Sequence, residues 1–147
     1  QYHPIGVEID TLPDFYLSSG LNGRLREQVR HYANVGEAFS AMRDGEVNAV
    51  MGMRAEIDYQ LSKAENSQFK HAGNGFPGIN KQVWDVGMAI KHTHRQLGYA
   101  LEEIVGKLVQ SGELSELFSR FSLSYSIPQY YREFLSDEAI AQAESRP

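Results

Sequence analysis

The period of the apolar residues changes once between Val83 and Phe121, and that change constrains this chain more than any other feature. From Val83 to Ile90 the sequence alternates, with Trp84, Val86, Met88 and Ile90 on one side and Val83, Asp85, Gly87 and Ala89 on the other. A period of two with bulky apolar residues on one face predicts a strand. After KHTHR, Leu97, Leu101, Ile104, Val105 and Leu108 recur at helical spacing, which predicts a helix with one apolar stripe against a core. Ser111-Gly112 ends that helix, because glycine enters the left-handed region without a Cβ clash. Leu114, Leu117, Phe118 and Phe121 mark the buried side of a second, short helix.

The preceding residues alternate strand and helix. Pro4–Ile9 reads as a short strand, and Asp10-Thr11-Leu12-Pro13 turns out of it into a helix over 14–19. Pro13 suits a first helical turn, where its missing N–H would have no acceptor, and Asp10 or Thr11 can supply the N-cap. Gly20–Gly23 is a loop, Glu27–Tyr32 a strand, and Val35–Arg43 a helix burying Val35, Ala38, Phe39 and Met42. Val47–Met51 is an almost continuous apolar run, the pattern of a strand covered on both faces. A helix over 54–64 with Ile57, Leu61 and Ala64 inward, and a strand over 69–72, complete this part. The order predicts an α/β fold with a small, parallel-rich sheet and helices on both faces. Gly73–Gly78 holds three glycines and a proline in six residues and reads as a crossover or hinge. After Tyr130 an amphipathic turn or two (Tyr131, Phe134, Leu135, Ile140) leads into an acidic, alanine-rich end.

Composition narrows the functional classes. A net charge of -5 disfavours nucleic acid as a partner, since phosphate binding wants a basic surface. With no cysteine there is no disulfide, thiolate nucleophile or Cys-type zinc site. No apolar run approaches the ~20 residues that cross a bilayer. QYHPIGVEID has neither the basic start nor the apolar core of a signal peptide, so the chain reads as cytoplasmic, as mature after processing, or as a piece of something longer.

Taken together, IGVEIDTLPDF, EAFSAMRDGEVNAV, DVGMAIKHTHRQL and LEEIVGKLVQSGELSELFSRF resemble, in order, the C-terminal half of bacterial extracellular solute-binding protein family 3. These are type II periplasmic binding proteins, whose two lobes close on a ligand. The resemblance covers about residues 5–123. It implies that 1–78 is the second, distal lobe, that 79–127 is the returning segment of the first lobe, and that 128–147 is a C-terminal tail. It further implies a periplasmic protein, its signal peptide removed, that captures a small polar molecule for an ABC-type uptake system and passes it to an inner-membrane permease. An accessory role for a periplasmic quinoprotein dehydrogenase, a sensory flytrap domain of a receptor kinase, and a cyclohexadienyl-type dehydratase on the same fold are the alternatives. The uptake, accessory and sensory readings involve no catalysis, and no cofactor is expected. A returning segment without its lobe would leave strand edges and a helix face uncovered, so a homodimer or domain swap through residues 82–123 is expected.

The resemblance also nominates site residues. Asp10, Thr11 and Leu12 stand at the turn that takes a ligand carboxylate in that family, and a Thr hydroxyl beside free helix amides is a natural anion cradle. The plain alternative is an N-cap that binds nothing. Asp10 replaces the usual glycine, and its charge would repel a carboxylate. Met53 stands where amino-acid binders carry an aspartate for the ligand ammonium, and a thioether offers only a soft apolar contact. Arg54 can offer its guanidinium fork to an anionic or planar ligand, or it can simply be a solvated helix-start arginine. Asp10 and Met53 together point to a ligand other than a standard α-amino acid. Asp10 is also the one candidate acid or base for a dehydratase.

Other polar residues carry less. His92 and His94 share one face if their segment is a strand, but no third metal ligand is near in sequence, and no metal is expected. His31 and His71 have no visible partner. Glu102-Glu103 and Asp137-Glu138 are neighbours on helices that do not converge on one atom. Phe76, Trp84 and Tyr59 can stack on a ligand or pack at a hinge.

Overall fold

A computed structural model of the chain describes residues 2–72 and 85–144. The chain forms two compact units, Gln1–Gln82 and Val83–Pro147. The Gly73–Gly78 hinge, the 78/79 boundary, Phe76, Val83 and Trp84 lie outside the described residues.

The first unit is a three-stranded parallel sheet. Strands β1 (Ile5–Glu8), β2 (Val29–Tyr32) and β3 (Ala49–Met51) run in the order β2-β1-β3. Helix α1 (Leu12–Ser19) connects β1 to β2, and α2 (Val35–Arg43) connects β2 to β3. The α/β class and the parallel sheet are as the sequence predicts. Alternation along β1 separates the two helices. Val7, fully buried, packs with Tyr16 and Leu17 of α1 and with Val29. Gly6 points the other way, where an added Cβ would lie 3.2 Å from the Ala38 Cβ of α2. Asn34 caps α2 by accepting a hydrogen bond from the Glu37 N–H at 2.9 Å.

Several expectations are corrected here. Among the described residues β3 has one strand neighbour and is an edge strand, and its residues are only half-buried; the fully buried residue of its apolar run, Val47, precedes it. In α2 the buried residue near the C-terminus is Ala41, whereas Met42 is half-buried. Helix α3 (Arg54–Leu61) buries Asp58 and Gln60, leaving Ile57 and Leu61 half-buried and Ala64 exposed. Residues 69–72 are not a strand. Phe69 instead sets its ring edge-on to Phe39, with centroids 6.2 Å apart.

The second unit is helical: α4 (Arg95–Ser111), α5 (Glu113–Arg120), α6 (Gln129–Arg132) and α7 (Asp137–Glu144). Gly112 turns between α4 and α5 at φ 76°, a conformation a side chain would resist. The core differs from the predicted one. Its buried residues are Val109 and Ile127, joined by Val105, Leu114, Tyr125, Tyr131, Leu135 and Ile140. Residues read as a C-terminal tail thus pack into it. Leu97 and Ile104 of the predicted stripe are about half exposed, as are Leu117 and Phe121. Residues 85–90 form no strand and are exposed throughout. A strand needs a neighbour for its N–H and C=O groups, and among the described residues no strand pairs with this segment.

The Tyr125 hydroxyl is buried with no hydrogen-bond partner among the described residues. Burial, reinforced by nearby Tyr131, raises its pKa. Its ring meets Phe118 edge-on at 5.1 Å, so Tyr125→Phe keeps the packing and removes an unsatisfied group. The variant is expected to be about 0.5–1 kcal/mol more stable, read as slower hydrogen exchange in α4. A loss of stability would show that the hydroxyl is bonded in solution.

Candidate functional site

In a parallel sheet, ligands bind beyond the carboxyl ends of the strands, where neighbouring connections leave in opposite directions. Here that place lies between β1 and β3, whose register pairs Val7 with Met51. The turn after β1 carries Asp10, Thr11 and Leu12, and the turn after β3 carries Met53 and Arg54. The topology therefore brings the turns that bear all five nominated residues to one edge of the sheet.

Only part of that set shapes a cavity. A pocket of about 320 Å³ is lined by Asp10, Thr11, Asp14, Phe15, Ser18 and Ser19. Asp10 sits at φ 60°, the left-handed region that glycine enters freely and aspartate tolerates better than most residues. Its N–H donates to Asp14 Oδ2 at 3.0 Å. Thr11 is the N-cap of α1, but its hydroxyl caps nothing; it turns back and donates to the Glu8 carbonyl at 2.6 Å. With its one hydrogen committed to Glu8, that hydroxyl can only accept from a ligand. Leu12 is half exposed and does not line the pocket.

Asp14 is the centre of the site, and sequence reasoning missed it. Besides the Asp10 N–H, its carboxylate accepts from Ser18 Oγ at 2.8 Å and from His31 Nε2 on β2 at 2.9 Å. Burial alone would raise its pKa. The bonds from Ser18, His31 and the Asp10 N–H, with the His31 charge, outweigh burial and hold the carboxyl below its usual range. Asp14 and Ser18 are one helical turn apart, a spacing readable from sequence. The His31 partnership crosses from helix to strand and leaves no sequence signal.

The depressed pKa fixes the sign of a pH effect. The folded state holds the ionised carboxylate more tightly than the unfolded state does. Its stabilisation is complete above the ordinary carboxylate pKa and is lost as pH falls through the lower folded value. Asp14→Ala is expected to cost about 1–2 kcal/mol at pH 7, discounted for partial solvent access, and clearly less at pH 2. Urea midpoints of both proteins at the two pH values test this; a cost independent of pH would contradict it.

Met53 and Arg54 do not line the pocket. Met53 is the N-cap residue of α3, and its N–H donates to Glu56 Oε2 at 3.2 Å. Arg54 Nε donates to both Asp58 oxygens, at 3.1 and 3.3 Å. Asp58 is buried and also accepts from His71 Nε2 at 2.9 Å. Both histidines without visible partners in the sequence thus meet aspartates. His92–His94 is a single 3-10 turn, not a strand, so its two imidazoles do not share a face. Tyr59 is half exposed with the Lys63 ammonium 4.8 Å from its ring centroid. Among the described residues no three His, Asp or Glu side chains gather as a metal site.

Chemically, the pocket offers two carboxylates, hydroxyls and one face of Phe15, which is 68% exposed. It is rich in acceptors and poor in cations. An anionic group would meet Asp10 and Asp14; an ammonium or hydroxyl-bearing ligand would find partners there, with Phe15 as an apolar or cation–π surface. No helix among the described residues is long and apolar enough to cross a membrane. Searches of protein-family models, curated proteins and solved structures find nothing that matches this chain.

Proposed function

We propose that this chain is a ligand-capture module of the type II periplasmic-binding class, with Gln1–Gln82 as one lobe and the mouth of the pocket after β1 as its half of the cleft. The observation that carries the reading is the cavity at Asp10–Thr11, beyond the central strand of a β2-β1-β3 parallel sheet. On this reading the protein works by binding, not by turnover. Closure on the ligand shifts its population toward a form that an inner-membrane permease recognises from the periplasmic side.

The lining residues set the ligand class as small, polar, and neutral or cationic. Standard α-amino acids and organic acids carry a carboxylate that Asp10 and Asp14 disfavour. Arg54, held to Asp58, is not counted among the ligand contacts.

Amide NMR titration of the intact chain tests the reading, because it detects binding as weak as a single lobe would show. Diamines and sugar alcohols are expected to shift the amides of residues 9–19, and succinate to leave them unmoved. Asp10→Asn is expected to weaken diamine binding about tenfold, the loss of one charge-assisted contact. A titration in which no amine or polyol moves residues 9–19 at millimolar concentration would sink the proposal.

A further inference from the structure

Residues 85–91, DVGMAIK, are exposed at every position and pair with no strand among the described residues. Their apolar members are unusually open: Val86 is 96% exposed and Met88 62%. Ile90 lies across α4, where a Cβ added to Gly98 would come within 2.3 Å of its Cδ1. Beside it, Leu97 and Ile104 face outward two helical turns apart, on one side of α4. Such a segment is a template for pairing with another strand, and its own sequence specifies the partner.

We infer that the occupant of this surface is a second copy of the chain, joined through an antiparallel pair of 85–91 segments about a two-fold axis at Met88. In that register Asp85 of each copy faces Lys91 of the other, Val86 faces Ile90, Gly87 faces Ala89, and Met88 faces itself. The two charged pairs close the ends of the ribbon with opposite signs. Val86, Met88 and Ile90 fall on the other face and make one apolar strip. Among the described residues neither Asp85 nor Lys91 is engaged in an ion pair, so both charges are available to the other copy. A shift of the register by two residues would break both charge pairs, and a shift by one would turn one apolar strip outward. Two-fold pairing is also self-limiting, since each copy uses the same patch on the other.

The charges permit a test that depends on the pairing itself. Asp85→Lys sets like charges opposite Lys91 in both pairs, and Lys91→Asp does the same with opposite sign. Sedimentation equilibrium of the full chain is expected to show a dimer, weakened about tenfold or more by either substitution alone, because cross-strand like charges repel where opposite charges attracted. An equimolar mixture of the two variants is expected to form a heterodimer as tight as wild type, since every facing pair is then opposite in sign. The double variant, with both charges exchanged, is expected to homodimerise normally.

Recovery in the mixture cannot arise from either variant misfolding, so it isolates the register. A wild-type chain that stays monomeric at high concentration leaves this face to an unrelated partner and overturns the proposal. A dimer indifferent to both substitutions, or assemblies that keep growing with concentration, overturns it equally.

Discussion

Asn66→Ala is expected to destabilise the first unit by about 3 kcal/mol, the largest single-site loss in the chain. Asn66 has no accessible surface. Its Oδ1 accepts from Arg43 Nη1 and its Nδ2 donates to the Gln60 carbonyl, both at 2.7 Å. One amide thereby ties the end of α2 to the end of α3. Alanine removes both bonds and empties the volume of a fully buried side chain; the Gln60 carbonyl is left with the Lys63 N–H at 3.2 Å, and Arg43 loses its shortest contact. Arg43 keeps part of its environment, with Ser40 Oγ at 3.0 Å and Glu65 at 3.4 Å, which holds the loss near 3 kcal/mol and not higher.

Asn66→Asp separates the two bonds. It preserves an acceptor for Arg43 but cannot donate to Gln60, and an intermediate loss is expected. Urea unfolding followed by circular dichroism, with hydrogen exchange in β1–β3 to distinguish the two units, reads both variants. A cost under 1 kcal/mol for Asn66→Ala would mean that water replaces the amide. The same bonds hold the residues leading to Phe69, whose backbone N–H donates to the Asn66 carbonyl at 2.9 Å. Loss of the Phe69–Phe39 contact is therefore the expected local symptom.

Gly6→Val is expected to cost about 2–3 kcal/mol, although valine is the better strand former. The central strand has no room on its α2 face. A Cβ at Gly6 would meet Tyr32 Cε2 at 3.1 Å, Ala38 Cβ at 3.2 Å and Val47 Cγ2 at 3.4 Å. Ala38 and Val47 are buried and cannot swing into solvent. Valine adds two further carbons to that contact, so α2 must lift from the sheet. Gly6→Ala, which adds Cβ alone, is expected to lose about 1 kcal/mol, near the low end for overpacking. Combining Gly6→Ala with Ala38→Gly should lose less than the two single losses together, because the second change vacates the space that the first fills. Additive losses would place the strain elsewhere. The effect bears on the site as well: β1 aims the Asp10–Thr11 turn, and a sheet that opens on one face displaces the pocket's rim.

The pocket illustrates how far residue patterns carry. The Asp10–Thr11 turn, the proline in the first turn of α1 and the helix after it are legible because each is local, set by spacing within a few residues. Asp14 was hidden in plain view. Its i,i+4 relation to Ser18 is local, but its His31 bond and its place in a cavity depend on how α1 lies across β2. Arg54 shows the converse. Its position after a strand suggested a free cation, yet Asp58 stands one helical turn on and takes it; only the fold brings His71 to the same carboxylate.

What the residue order determines here is the sequence of elements from β1 to α3, the α/β class and the Gly112 break. All of these follow from periodicity and backbone preference over short windows. Tertiary structure alone decided that, among the described residues, β3 is an edge strand and residues 85–90 find no partner strand, and that Val109 and Ile127 centre the helical core, with Val105 and Leu114 of the expected apolar faces beside them. The physical reason is common to the three. Alternation shows which face of a segment is apolar, but burial requires a second surface at the right distance. Whether this chain supplies that surface depends on contacts between residues far apart in sequence.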